Sequence, residues 1–149
     1  EAKEAFEIVK LEIEKSVAVA IDESQPFELE TDASDIALAA VLNQNGRPVA
    51  FFSRTLHGSE LKHSSVEKEA SAIIEAVRHW KHFLTNHHFT LITDQKYVSF
   101  MFDKKKRGKI KNDKIYRWKM ELSCYSFDIA YILGKDNIPA DTLLEYIVL

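Results

Sequence analysis

Two aspartates in this chain each follow a threonine at the end of a short apolar run, Thr31-Asp32 and Thr93-Asp94, and they lie 94 − 32 = 62 residues apart. Carboxylates brought together repel, and one is pushed towards its neutral form unless a cation neutralises the pair. Their oxygens are hard donors that suit Mg2+ or Mn2+. Two such ions about 3.5–4 Å apart activate a water and stabilise the leaving oxygen in phosphodiester hydrolysis, a chemistry that uses about four acidic ligands. The longest helical pattern offers Glu67 and Glu69. Ser64-Ser65-Val66-Glu67 fits a capping box, which gives Glu67 a structural role. Glu69 precedes Ala70 on the apolar stripe and is expected at the edge of the buried face, near the sheet. Asp141, in the first turn of a last helical segment, is the fourth candidate, although the helix dipole alone favours an acid there. Plainer readings exist for the others too: Asp32 and Asp94 as strand-end turn residues, Glu69 as a solvated helix residue.

The elements that would position these acids follow from periodicity. Residues 3–15 read as a helix rich in Glu and Lys. Pro26 breaks the chain before Phe27–Ala33, where apolar and acidic residues alternate as in a half-buried strand. Residues 36–42 read as a more buried strand, and Asn45-Gly46 as a hairpin turn into a third strand over 48–54. Val66, Ala70, Ile73, Val77, Trp80 and Leu84 form one helical stripe. A strand over 89–93, a short helix over 97–102, a helix over 113–125 and a strand over 127–133 follow. Residues 137–146 read as a last helix with Pro139 in its first turn. The order predicts an α/β fold with a mixed sheet, an antiparallel meander followed by strands reached through helical crossovers. Ligands in open sheets sit beyond strand ends. If the first and fourth strands are neighbours, Asp32 and Asp94 come side by side.

Hydrophobic residues make up 46% of the 149 and charged residues 29%, the composition of a soluble globular domain with a real core. The longest apolar stretches are far too short to span a bilayer, and no secretory signal pattern is present, so an intracellular, non-secreted setting is expected. A lone cysteine, Cys124, leaves no internal disulfide and fits a reducing compartment. The net charge of −3 argues against nucleic acid as a partner on bulk grounds, yet the charge is unevenly spread. Residues 103–114 hold Lys104, Lys105, Lys106, Arg107, Lys109, Lys111 and Lys114, with two acids among them. Histidines 79, 82, 87 and 88 lack the accompanying cysteines and spacing of a zinc site.

Several stretches together resemble the ribonuclease H domain of reverse transcriptases from Ty3/gypsy-type long-terminal-repeat retrotransposons. They are PFELETDASD at 26–35, AAVLNQNGRPVAFFSRTL at 39–56, SSVEKEASAIIEAVRHWKHFL at 64–84, FTLITDQK at 89–96 and YILGKDNIPADTL at 131–143. The resemblance covers nearly the whole chain. It implies a ribonuclease H-like fold, a mixed five-stranded sheet of order 3-2-1-4-5 flanked by helices, over residues 23–149. Residues 1–22 then correspond to the connection from the polymerase. It further implies hydrolysis of the RNA strand of an RNA–DNA hybrid with two Mg2+ ions, for which Mn2+ can substitute, and no small-molecule cofactor. Carried over by motif, the metal-binding and catalytic acids are Asp32 (TDAS), Glu69 (EKE), Asp94 (TDQ) and Asp141 (ADTL), with Asp32 bridging both ions. The partners implied are the hybrid and the polymerase domain of the same Pol polyprotein, in the cytoplasm, a virus-like particle or the nucleus, with no membrane.

With a hybrid as substrate, Lys104, Lys105, Lys106, Arg107, Lys109 and Lys111 are expected on phosphates, a sequence-independent and salt-sensitive contact. Ser34 and Gln95, each just past a catalytic aspartate, are expected to bond 2′-hydroxyls across the minor groove. Two rival readings stand beside this one. An inactive, domesticated module with a structural or interaction role is favoured by Ala37 and Ala39, where the family commonly has glycines, and by the ending DTLLEYIVL. A transposase or integrase of the same general fold would carry its acids in a different pattern.

Overall fold

The structure, a computed structural model, describes residues 21–106 and 108–133. The segments expected as a first helix over 3–15 and a last helix over 137–146 lie outside the described residues, as do Arg107 and Asp141. No helix among the described residues is long and apolar enough to cross a membrane.

Three strands open the fold: β1 (Phe27–Ala33), β2 (Ala37–Gln44) and β3 (Arg47–Thr55). The β2–β3 turn is Asn45-Gly46, with φ of 53° and 74°. Both residues sit in the left-handed region that a two-residue hairpin of this twist demands, which Asn and Gly tolerate best. Pairing shifts register between Leu42 and Asn43, whose partners are Ala50 and Pro48. Pro48 has no N–H to give a ladder, so an irregularity beside it costs little. Ala37 and Ala39 are fully buried in unbroken antiparallel pairing, against Thr55 and Ser53 on one side and, for Ala39, Asp32 on the other.

A 3-10 turn (Gly58–Lys62) leads to α1 (Ser65–His79), followed by α2 (Lys81–Leu84), β4 (His88–Thr93), α3 (Lys96–Phe102), α4 (Asp113–Leu122) and β5 (Ser126–Tyr131). The five strands order as β3-β2-β1-β4-β5, with the first three antiparallel and β1–β4 and β4–β5 parallel. The stripe expected as one helix to Leu84 is interrupted at Trp80, whose φ of −106° and ψ of 25° depart from helix. Its N–H still bonds the Ala76 carbonyl, so the chain resumes helical spacing after one residue and keeps Trp80 and Leu84 buried. The helix expected over 113–125 ends at Leu122, where the N–H groups of Ser123, Cys124 and Tyr125 close it with tighter turns.

Phe27 and Leu29 of β1, Phe89 and Leu91 of β4, and Ala70, Ile73, Ile74 and Val77 of α1 form one core cluster with Val98, Phe102, Ile115 and Leu122. Fully burying such a side chain contributes about 1.5–3 kcal/mol. Ion pairs tie the layers at their edges. Arg54 of β3 grips Glu60 with two bonds of 2.9 and 2.7 Å, and Arg78 of α1 grips Glu121 of α4 with two of 2.8 Å.

Candidate active site

The parallel pairing of β1 with β4 places the first acids. Phe27 faces Phe89 and Glu30 faces Ile92, an offset of 89 − 27 = 62 residues. That offset equals the separation of Asp32 and Asp94, so the same register carried two residues on sets the two aspartates abreast at the strand ends. The threonines before them, Thr31 and Thr93, are fully buried and anchor each ending. The Thr93 hydroxyl accepts the Gln95 N–H at 3.2 Å, and its carbonyl accepts the Ile132 N–H at 3.0 Å.

Glu69 comes from the first turns of α1. Ser64 caps that helix: its hydroxyl accepts the Glu67 N–H at 3.2 Å, while the Glu67 carboxylate accepts the Ser64 N–H at 3.3 Å. Burial works against the Glu67 charge, but the Ser64 bonds and Lys114 leave its carboxyl below the ordinary range. With Glu67 turned to the cap, Glu69 reaches β1, where its Oε1 accepts the Ala33 N–H at 3.3 Å. The same N–H lies 2.9 Å from Asp32 Oδ1. One backbone amide therefore serves two carboxylates.

Asp32, Glu69 and Asp94 each offer one carboxylate oxygen, and the three oxygens lie within 4.8 Å of one another. Asp32 is 6% exposed and Glu69 9%, and Asp94 is half-buried. Three hard oxygen donors this close, mostly out of water, fit a divalent cation of the Mg2+ or Mn2+ type by charge and by donor chemistry. On the same strand, Glu30 accepts a bond of 3.1 Å from the Asn43 amide, and burial raises its carboxyl above the usual value.

The other residues singled out in the sequence are less alike in the structure than in the sequence. The Ser34 hydroxyl accepts the N–H groups of Ile36 and Ala37 at 3.3 and 3.1 Å and so closes the turn after β1. The Gln95 side chain caps α3 by accepting the Tyr97 N–H at 3.3 Å. Lys104 folds back onto the protein: its ammonium donates to the Tyr125 carbonyl and sits 4.7 Å from the centre of the Phe127 ring. Lys106 lies 6.0 Å over Phe100, and Lys114 bonds His63 at 2.9 Å. Lys105, Lys109 and Lys111 are exposed. Lys106, Lys109 and Lys119 line one small groove with Tyr97, Phe100 and Ile110. Among the histidines, His79 stacks on Phe52, His87 bonds the Phe83 carbonyl, and His88 bridges Ser126 and Asp128.

Sequence reasoning passed over Lys119 and Lys68. Lys119 sits beyond the lysine-rich stretch and joins it only through the fold. Lys68 is 7% exposed and lies off the 3–4 spacing of the apolar stripe. No periodicity singles it out, because α1 buries every residue from Lys68 to Ile74.

Known proteins share this fold and, over most of the chain, resemble this sequence. Residues 22–125 match the family described as "RNase H-like domain found in reverse transcriptase". The chain is 42% identical over 141 residues to the "Retrovirus-related Pol polyprotein from transposon 297" of Drosophila melanogaster, covering 94% of this chain and 13% of that protein. The chain thus spans only a small part of the curated relative it matches. Among solved structures it resembles the RNase H1 of the halophilic archaeon Halobacterium salinarum NRC-1, with a TM-score of 0.67 at 19% identity, over 83% of this chain and 98% of that one. It also resembles the foamy viral protease-reverse transcriptase solved with an RNA/DNA hybrid, with a TM-score of 0.59 at 16% identity, over 76% of this chain and 16% of that one.

Proposed function

This chain belongs to the RNase H-like domains found in reverse transcriptase, of the Ty3/gypsy retrotransposon type, and from that premise we propose that it cleaves the RNA strand of RNA–DNA hybrids at the centre formed by Asp32, Glu69 and Asp94. The observation that carries this reading is the convergence of those three carboxylates at the ends of β1 and β4 and the start of α1. They are the residues that would hold divalent cations, with Asp141 as the fourth ligand in the same reading. Bound there, a pair of Mg2+ ions supplies an activated water and neutralises charge at the leaving oxygen.

The chain's own residues do the positioning. The Ala33 N–H fixes the Asp32 and Glu69 carboxylates against each other. Buried Thr31 and Thr93 keep the two aspartates at the strand ends rather than in mobile loops. The water oxygen bonds to phosphorus as the P–O3′ bond breaks, leaving a 3′-hydroxyl and a 5′-phosphate. Lys105, Lys106, Lys109 and Lys111 hold phosphates of the hybrid, while Lys104, folded back, supports the turn from α4 into β5 instead. In the source polyprotein the polymerase domain would present the hybrid to this centre.

The test is cleavage of an end-labelled hybrid with Mg2+ or Mn2+, with Asp94→Asn alongside. Cutting of the RNA strand by wild type alone supports the reading. Hybrid binding by wild type with no cutting in either metal overturns it in favour of a binding module.

A further inference from the structure

Lysine is among the residues least often buried, because an ammonium taken from water loses hydration that only good partners restore. Lys68 is nevertheless 7% exposed, one residue before Glu69 on α1. Its ammonium donates at 2.9 Å to the carbonyl of Asp35, 33 residues earlier in the chain. Asp35 belongs to the turn that leaves β1 immediately after Asp32 and Ala33. That turn is already closed on itself, by the Ser34 N–H to the Ala37 carbonyl at 2.9 Å and by the Ser34 hydroxyl. It therefore moves as one piece.

Hydrogen bonds tie this piece to α1 from both sides of the turn: Ala33 N–H to Glu69, and Lys68 to the Asp35 carbonyl. They run crosswise, residue 33 to 69 and residue 35 to 68. Apolar packing of Ala33 and Leu38 against Ala72 holds the two together without direction, whereas the two hydrogen bonds fix how the turn faces the start of α1. We propose that Lys68 is a positioning residue: by bracing the turn after β1 against α1, it sets the separation and angle of the Asp32 and Glu69 carboxylates for a divalent cation. The proposal rests on the reading of those acids as metal ligands. Without the Lys68 brace, the outer part of the turn loses its polar tie to α1, and its position rests on the Ala33–Glu69 bond and on the packing of Ala33 and Leu38 against Ala72.

The test is calorimetric titration of the 149-residue chain with Mn2+, for wild type, Lys68→Met, Lys68→Arg and Asp94→Asn, with hybrid kcat and KM measured on the same preparations. Lys68→Met is expected to weaken Mn2+ binding about tenfold, as removal of a ligand-orienting partner does, and to lower kcat with KM for hybrid unchanged. Lys68→Arg, which keeps a long cationic donor, is expected to recover most of both. If Lys68→Met does not fold, Lys68→Gln, one atom shorter, carries the same expectation. Wild-type Mn2+ affinity and kcat in a variant whose thermal midpoint alone has fallen would show an ordinary structural lysine and overturn the proposal. Failure of the underlying reading looks different: wild type itself takes up no Mn2+, or Asp94→Asn takes up as much.

Discussion

Asp32, Glu69 and Asp94 come from three elements and meet with their oxygens within 4.8 Å. Lys104, Lys106 and Lys114 come from one stretch and go three ways, to the Tyr125 carbonyl, over Phe100 and to His63. The acids are far apart in sequence and together in space, and the lysines are the reverse. Like charges gather only where backbone pairing forces them to and a counter-charge rewards it. On a surface stretch each cation instead finds its own nearest acceptor or stays in water. Under the proposed function the first region suits a point charge and the second a line of phosphates that tolerates variable geometry.

That contrast can be broken in four places, taken from the largest effect downwards. Asp94→Asn removes one of three converging carboxylates and should lower cleavage more than about 100-fold, since even ligand-orienting partners are worth roughly 10- to 100-fold. Hybrid binding, measured by fluorescence anisotropy, should stay near wild type. Replacing Lys105, Lys109 and Lys111 together by Gln should do the opposite. Hybrid affinity should fall roughly tenfold at moderate salt, and the slope of log affinity against log salt should flatten by about 0.7–0.9 for each phosphate no longer neutralised. Lys104→Met sharpens the distinction, because its loss should register in thermal unfolding and leave the salt slope alone. Ser64→Ala removes the cap of the helix that carries Glu69, at a cost of about 1 kcal/mol, seen as a midpoint about 2–4 °C lower.

The smallest effect lies away from both regions. Two Arg54 bonds lower the Glu60 carboxyl from its ordinary 4.5 to about 2. A folded value below the unfolded one means the pair stabilises fully above about pH 4.5, and its contribution is lost as pH falls to about 2. The pair is part-exposed and screened, so Glu60→Gln should lower the midpoint by only about 1–2 °C at pH 7. The gap to wild type should close across that acid window, in thermal scans at stepped pH.

The strands and the hairpin were legible because alternation and Asn45-Gly46 are local signals. The Ser64–Glu67 box was legible for the same reason, and it separated Glu67 from Glu69 on sequence alone. The break at Trp80 was not, since Trp80 keeps its place on the buried stripe and spacing records no interruption. Lys68 was hidden because the start of α1 is covered on more than one side, where a 3.6-residue period carries no information. Lys104 read like its neighbours, as one more phosphate contact, because the acceptor its ammonium meets, the Tyr125 carbonyl, is 21 residues away and is offered only once α4 has ended. Strand-end acids are visible in a sequence, whereas the direction a long flexible side chain takes depends on carbonyls that only the fold exposes.

The shared offset of 62 residues has a practical meaning. A strand slipped by one residue would carry Asp94 about 3.3 Å along and onto the opposite face of the sheet. No molecule mispaired in this way can assemble the acidic centre, even if it is compact and helical. Parallel pairing between distant segments is also among the slower events of folding. Under the proposed function, turnover in a refolding mixture would count only correctly zippered molecules. The centre would then serve as a chemical clock for the completion of the β1–β4 ladder, one that spectroscopic signals of helix content would run ahead of.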